Sequence, residues 1–97
     1  MPSSTRPVSV KVTAYGIWQW ALGAKSLKLE TYARTIQGLL GDLAKASGND
    51  IKGEVLKPNG DLKDFYKIFI NGRNCETLEN IIKDGDDVIL FSVIDGG

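Results

Sequence analysis

The C-terminal stretch Asp84–Gly97, with the sequence DGDDVILFSVIDGG, decides how the rest of the chain is interpreted. An acidic turn leads into Val88–Ile94, a strand-like run that is largely apolar at both odd and even positions. The sequence then ends in Gly96 and Gly97. Glycine loses more conformational freedom on folding than other residues, so a terminal double glycine is expected to be an unpacked tail. Such a tail could carry a carboxylate into the active site of another protein.

The composition is that of a single globular domain. The chain has 97 residues, of which 42% are hydrophobic and 25% charged, and its twelve basic residues balance twelve acidic ones. No basic block stands out, so neither nucleic acid nor an anionic membrane is an expected partner. No run is long and apolar enough to span a membrane, no signal peptide is visible, and the single Cys75 suits a reducing interior. We therefore expect a cytoplasmic location.

The sequence contains no histidine, which removes the commonest general base and the commonest nitrogen ligand for metals. Cys75 has neighbours of opposing charge in Arg73 and Glu76, so we predict a structural residue rather than a reactive thiol. No glycine-rich phosphate loop occurs. The chain is therefore predicted not to be an enzyme, and to bind neither a metal nor a cofactor.

The first part of the chain predicts a hairpin followed by a helix. Apolar residues alternate with polar ones from Val8 to Ala14, and a second short strand is expected at Ser26–Glu30. The long connection between them contains Trp18 and Trp20, which either cover the open end of the hairpin or form a patch for a partner. The sequence leaves both interpretations open.

One amphipathic helix is predicted at about 35–46. Thr35 can cap it, and Gly48 is expected to end it in a left-handed conformation. Gly38 and Gly41 each cost the helix roughly 1 kcal/mol relative to alanine, and the sequence offers no reason for them. The apolar stripe consists of Ile36, Leu39, Leu40 and Leu43.

The second part of the chain predicts shorter elements. Asn71-Gly72 is the preferred dipeptide of a tight hairpin turn. We expect a strand at 65–70 before it and a short return strand at 73–75 after it. The remaining expectations are a turn at 58–61 within a minor hairpin of 54–57 against 62–64, and a single helical turn at 78–82.

This order of elements predicts an α+β domain of the β-grasp type. One apolar helix stripe and one apolar sheet face suffice to form its core, with a mixed sheet of four to five strands packed on the helix. We expect a flexible leader at 1–7, one domain at 8–94 and a flexible tail at 95–97.

The last strand has more apolar surface than this fold needs. If Val88 and Leu90 face the helix, a second apolar face points away from it. This face could dock a partner, or the section 51–64 could fold back and cover it. Its members are Phe69, Ile89, Phe91 and Val93.

Three motifs carry a resemblance to a known family. Phe69–Arg73 (FINGR), Lys83–Val88 (KDGDDV) and the terminal Gly96-Gly97 occur in this order, and the likeness extends over the helix. The chain resembles the MoaD/ThiS family of ubiquitin-like sulfur carriers, and is most similar to its MoaD branch, the small subunit of molybdopterin synthase. It departs from that branch at Ser92-Val93, where prolines are frequent, and in its longer section 53–64.

The resemblance implies a reaction cycle. A ubiquitin-activating-type enzyme would use ATP to adenylate the carboxylate of Gly97, and a sulfur donor would then form a thiocarboxylate. Gly96 and Gly97 would thread a narrow channel, and the large subunit of molybdopterin synthase would accept the tail and its sulfur. The residues implied in partner binding are Phe69, Ile89, Phe91, Val93 and Ile94.

Three alternatives remain open from the sequence. The carrier could supply sulfur for thiamine, cysteine or tRNA thiolation instead. The chain could be a ubiquitin-like modifier that forms isopeptide bonds with lysines of other proteins. It could also be a β-grasp binding module whose terminal glycines have no chemical role.

Overall fold

The computed structural model of the protein describes residues 6–75 and 77–92. Within these residues the chain forms five strands and three helices, and the strands make one sheet. In chain order the elements are β1 Val8–Ala14, α1 Ile17–Leu22, β2 Ser26–Thr31, α2 Ile36–Ser47, α3 Ile51–Val55, β3 Tyr66–Ile70, β4 Arg73–Asn74 and β5 Asp87–Ser92.

The sheet has the strand order β2-β1-β5-β3-β4. β1 and β5 run parallel at its centre, while β2 pairs with β1, and β3 with both β5 and β4, in antiparallel fashion. The mixed sheet, with helix α2 between β2 and β3 in chain order, confirms the predicted α+β β-grasp architecture. The last strand of the chain, β5, therefore lies in the middle of the sheet.

The core lies between one face of the sheet and the three helices. Burying one aliphatic side chain contributes roughly 1.5–3 kcal/mol, so this cluster supplies most of the stabilisation. All four residues of the predicted α2 stripe are fully buried. The strand members of the core are Val10, Val12, Ala14, Tyr66, Ile68, Val88 and Leu90, and the helix members are Trp18, Ala21, Leu22, Ile36, Leu39, Leu40, Leu43, Ile51 and Val55.

Helix α2 begins and ends as predicted. The Thr35 side chain accepts a hydrogen bond from the Gly38 amide at 3.3 Å, and Gly48 ends the helix with φ 78°. The segment 78–82, however, does not form the predicted helical turn. Its backbone carbonyls instead accept the first α2 amides, Leu78 from Gln37 at 2.9 Å and Asn80 from Ile36 at 3.0 Å. The segment thus satisfies helix donors that would otherwise lack a partner.

The two glycines of α2 have different surroundings. A Cβ atom at Gly38 would come within 2.9 Å of the Ala33 Cβ, so the segment before the helix packs directly against its first turn. A Cβ atom at Gly41 would meet only the flexible end of Lys52, at 3.5 Å from Nζ. Close approach therefore explains Gly38, while Gly41 has room for a methyl group.

The connection between β1 and β2 is the short helix α1, which the sequence did not predict. Trp18 is fully buried in the core and Trp20 is 70% exposed. The first interpretation therefore holds for Trp18, whose ring closes the core beside the hairpin, while the Trp20 side chain lies on the surface. Gly23 ends the helix with φ 76°.

The middle section contains a second helix that the sequence did not predict, α3. Asp50 caps it by accepting the Gly53 amide at 3.0 Å, and Ile51 and Val55, four residues apart, are both buried. The predicted minor hairpin is therefore wrong except for one bridge between Leu56 and Leu62. The turn at 58–61 is confirmed, since the Lys57 amide donates to the Asp61 carbonyl at 2.6 Å.

The hairpin of β3 and β4 is tight, as predicted from Asn71-Gly72. Asn71 has φ 52° and Gly72 has φ 86°, the two positive values that a two-residue hairpin turn of type I′ requires. The return strand β4 is one residue shorter than the predicted 73–75.

The predicted boundaries at the chain ends fall largely outside the described residues. The leader at 1–7 is described only for Arg6 and Pro7, which are exposed. The tail at 95–97 and the last residues of the predicted domain lie outside the described part.

Candidate docking surface and C-terminal strand

Three apolar residues predicted to bind a partner lie together on the sheet face opposite the helices. Phe69 pairs with Ile89 across β3 and β5, and the ring centroids of Phe69 and Phe91 are 5.3 Å apart. All three side chains are half-buried. We call Phe69, Ile89 and Phe91 the outer patch. The predicted members Val93 and Ile94 lie outside the described residues, as do Gly96 and Gly97.

The section 51–64 does not cover the outer patch. Ile51 and Val55 are buried in the same core as α2, and the Tyr66 hydroxyl, on the core side of β3, donates to Glu54 at 3.2 Å. The core residues of β3 and β5 alternate with those of the outer patch, so all three described helices pack on the other face. This alternation leaves the outer patch open within the described part of the chain.

The edge of the outer patch is polar. Lys67 lies opposite Phe91 on β3, and Thr13 lies beside Ile89 on β1. Tyr15, which is 52% exposed, follows β1 and donates its amide to the Leu90 carbonyl at 2.9 Å. The alternation of β1 already put Tyr15 in the outward phase, but only the pairing of β1 with β5 brings it near Phe91. A partner on the outer patch would therefore also meet a tyrosine that the sequence did not single out.

The hairpin turn after β3 is tied to the start of β5. The Asn71 side chain donates to the Asp86 carboxylate at 2.9 Å and accepts the Asp87 amide at 2.9 Å. The Asn71 amide donates to the Asp87 carbonyl at 2.8 Å. These bonds hold β3 and β5 in register and so align Phe69 with Ile89.

The acidic turn is also tied to β1. The Ser9 amide donates to Asp84 Oδ1 and the Gly85 amide donates to the Ser9 carbonyl, both at 2.7 Å. Asp86 Oδ2 accepts the Lys83 amide at 2.8 Å. Gly85 adopts φ 87°, which a residue with a side chain rarely does. The carboxylates of this turn thus accept backbone hydrogen bonds and position β5, which accounts for the motif structurally.

Burial alters the two titratable groups near β3. It raises the pKa of the Cys75 thiol, against a smaller opposing contribution from a hydrogen bond with the Thr77 backbone. Burial also raises the pKa of Tyr66, and the neighbouring Glu54 carboxylate adds to this. A thiol with a raised pKa forms less of the reactive thiolate, which agrees with a structural role for Cys75.

Metal ligands do not cluster in residues 6–75 and 77–92, where no three side chains of His, Cys, Asp or Glu lie close enough together to hold an ion. Within the same residues, each helix is too short or too polar to cross a bilayer.

Comparison with known proteins places the chain. No family model matches the sequence. A protein of Archaeoglobus fulgidus that is assigned as a sulfur carrier protein is 34% identical over 74 residues, which cover 73% of this chain and 83% of that protein. The match thus extends over most of both chains.

Three solved structures with the same fold carry different functional names. Small archaeal modifier protein 1 of Haloferax volcanii has a TM-score of 0.76 at 21% identity, covering 92% of this chain and 99% of that one. A protein of Pyrococcus furiosus assigned as subunit 1 of molybdopterin converting factor has 0.68 at 26%, covering 90% and 99%. The BexX/CysO complex of Amycolatopsis orientalis contains a chain with 0.76 at 24%, covering 91% and 99%.

The sequence relative and the shared fold agree with the family that the sequence motifs indicate. The chain belongs to the MoaD/ThiS family of ubiquitin-like sulfur carriers.

Proposed function

We propose that the C-terminal glycine of this chain, Gly97, is adenylated and converted to a thiocarboxylate, and that its sulfur serves molybdopterin biosynthesis. The observation that carries the proposal is membership of the sulfur carrier family, together with a central strand, β5, that is the last described element before Gly96-Gly97 in the sequence. The molybdopterin assignment is supported by the Pyrococcus furiosus protein. Its sequence identity to this chain, 26%, is higher than the 21% and 24% of the other two structures.

In the proposed cycle, the chemistry takes place at one carboxylate. An oxygen of the Gly97 carboxylate attacks the α-phosphorus of ATP in the activating enzyme, and pyrophosphate leaves. A sulfur donor at the oxidation level of hydrosulfide then attacks the acyl carbon: the carbon–sulfur bond forms, the bond to AMP breaks, and AMP leaves to give the thiocarboxylate. Neither step requires an acid, a base or a metal from this chain, since the partner enzyme binds the ATP.

The outer patch is the proposed docking surface for both partners. Aromatic residues are the usual energetic anchors of interfaces, and Phe69 and Phe91 lie in contact on an open sheet face. Phe91 stands six residues before Gly97, so a partner that binds it has the tail within reach. The predicted part of Val93 and Ile94 in partner binding belongs to the same proposal, and both residues lie outside the described part of the chain.

Intact-mass analysis of protein purified from its own host tests the proposal. We expect a species whose mass has increased by the replacement of one oxygen by one sulfur, located at Gly97. Deletion of Gly97 should abolish activation and leave the fold unchanged. The circular dichroism spectrum of the deletion variant checks the fold. Absence of both thiocarboxylate and conjugates, with activating enzyme and ATP present, would refute the carrier function.

The alternative partners are separated by what the activated protein binds. Recovery of a large subunit of molybdopterin synthase supports the proposed acceptor. Transfer to thiamine, cysteine or tRNA precursors would assign another acceptor. The Haloferax volcanii protein is a modifier, so conjugation to lysines is the second candidate, and it would appear as isopeptide-linked peptides ending in Gly97.

A further inference from the structure

Trp18 has no role in the proposed function. Its indole Nε1 donates a hydrogen bond to the Phe91 carbonyl at 3.0 Å, across 73 residues of sequence. Trp18 is fully buried, and a buried indole N–H needs an acceptor. Phe91 is the next-to-last described residue of β5 and a member of the outer patch. The Trp18 side chain of α1 therefore holds the backbone of β5 at Phe91, shortly before β5 ends.

At this point β5 loses one of its neighbours. The pairing of β1 with β5 ends at Ala14 and Leu90, and the chain then turns at Gly16, with φ 62°, into α1. Beyond Leu90 the sheet continues on the β3 side only, where Lys67 pairs with Phe91 and Tyr66 with Ser92. The indole of Trp18 contacts β5 where β1 no longer does.

Contacts with β3, α3 and the segment after α2 support Trp18 and its helix. Its ring packs edge-on against Tyr66, with centroids 5.4 Å apart and planes at 69°. The Tyr66 hydroxyl in turn donates to Glu54 of α3 at 3.2 Å. The other end of α1 is held by Asn49, whose side chain donates to the Ala21 carbonyl at 2.7 Å. A series of contacts thus connects α3 through Tyr66 and Trp18 to the Phe91 carbonyl.

Phe91 and Ser92 are the described residues from which the chain continues to Gly97. Five residues follow Ser92 in the sequence, and when fully extended they reach at most about 17 Å. The position of Ser92 at the end of β5 therefore limits how far from the sheet Gly97 can lie. A displacement of about 1 Å at a reacting group can cost on the order of 100-fold in rate.

We propose that Trp18 is a positioning residue: its indole N–H fixes the Phe91 carbonyl and thereby directs the tail into the active site of the activating enzyme. This role rests on the proposed adenylation of Gly97. It separates two tasks, because the outer patch determines how tightly the partner binds and Trp18 determines how productively the bound tail is placed.

Substitution of Trp18 by phenylalanine tests the role, since it keeps a buried ring and removes the N–H. Trp20→Phe is the matched control, because it makes the same change two residues away at an exposed position. We expect Trp18→Phe to lower kcat for Gly97 adenylation roughly 10- to 100-fold with KM little changed, and Trp20→Phe to keep both values. Amide exchange at Phe91 and Ser92 should accelerate only in Trp18→Phe.

The outcomes distinguish this inference from the proposed function. If wild type and Trp20→Phe are adenylated and Trp18→Phe matches them in kcat and in amide exchange, the positioning role is wrong while the carrier function stands. If wild type itself is not adenylated, the carrier function is wrong, and unchanged amide exchange in Trp18→Phe would separately overturn the anchoring.

A second variant covers the case in which Trp18→Phe does not fold. In the Trp20→Phe background, tryptophan is replaced during expression by its analogue with sulfur in place of the indole N–H. This leaves the shape of the side chain at position 18 nearly unchanged and removes only the donor. The same loss in kcat supports the positioning role, and a wild-type kcat overturns it.

Discussion

The two faces of β5 differ in what they contact, although they alternate along one six-residue strand. Val88 and Leu90 are fully buried under the helices, while Ile89 and Phe91 are half-buried on the open face. Both sets are apolar, so hydrophobicity alone does not distinguish them. One strand thus supplies core side chains on one face and an open apolar surface on the other.

The largest expected effect is the loss of stability on the core face. Leu90→Ala should lower the free energy of unfolding by about 3 kcal/mol, because it leaves a cavity in a packed core. Ile89→Ala, the matched change on the outer face, should cost less than half as much. Urea denaturation of both variants measures the difference, and equal losses would contradict the division between the two faces.

A smaller effect, on binding rather than on folding, is expected on the outer face. Phe91→Ser should weaken binding to the activating enzyme by about 2 kcal/mol, or about thirtyfold in Kd, since aromatic anchors dominate interfaces. Its stability should fall less than that of Leu90→Ala.

Phe65→Ser is the control for this binding experiment. Phe65 is 48% exposed but precedes β3 and packs on Tyr66, with centroids 4.5 Å apart, so it lies outside the outer patch. Titration by calorimetry should give it a wild-type Kd. Equal weakening by both substitutions would show that binding follows total exposed aromatic surface and not the outer patch.

High pH should destabilise the fold through Cys75 and Tyr66. The pKa values of Cys75 and Tyr66 are raised from ordinary values of 9.0 and 10.0, so the folded protein holds these protons more tightly than the unfolded chain. Their contribution to stability is complete below those values and is lost as pH rises through the folded pKa values. The free energy of unfolding, measured by urea denaturation from neutral pH upward, should therefore fall above about pH 9.

Tyr66→Phe checks the assignment of this pH dependence. It should flatten the decline above pH 10.0, the ordinary pKa of tyrosine, and leave the part due to Cys75. A decline of the same size in Tyr66→Phe would show that other groups are responsible.

The smallest effect is expected on the side of α2 that faces neither the core nor the outer patch. Gly41→Ala should raise the free energy of unfolding by up to about 1 kcal/mol, because alanine favours the helix and the site has room for its methyl group. Gly38→Ala should gain less or lose stability, since its Cβ would be 2.9 Å from that of Ala33. Thermal unfolding of both variants measures this, and neither should change partner binding.

Regular patterns made most of the fold predictable. The alternation of β1, the α2 stripe with its Thr35 cap, and the Asn71-Gly72 turn are local signals, and each forms as expected. The two short helices were missed because six and five residues are too few to show a helical period clearly. Asp50 before Ile51 and Val55 was a usable signal for α3, as a capping residue followed by an apolar pair four residues apart.

The candidate site was predicted in part. The outer patch residues Phe69, Ile89 and Phe91 come together because alternation puts them in one phase and the hairpin pairs their strands. Tyr15 and Trp18 could not be connected to this region from the sequence, since their neighbours on β5 are more than 70 residues away. The roles of Gly96, Gly97, Val93 and Ile94 remain predictions.

The strand phases, the long helix, the tight turn and the family motifs follow from the sequence alone, because they depend on residues close together in the chain. Only the tertiary structure decided that β1 lies parallel to β5, that the section 51–64 packs away from the outer patch, and that Trp18 reaches the Phe91 carbonyl. The physical reason is that long-range pairing depends on how the whole core packs, and no short pattern encodes it. The double glycine suggested the chemistry, and the packing around Phe91 indicates how the chain could direct it.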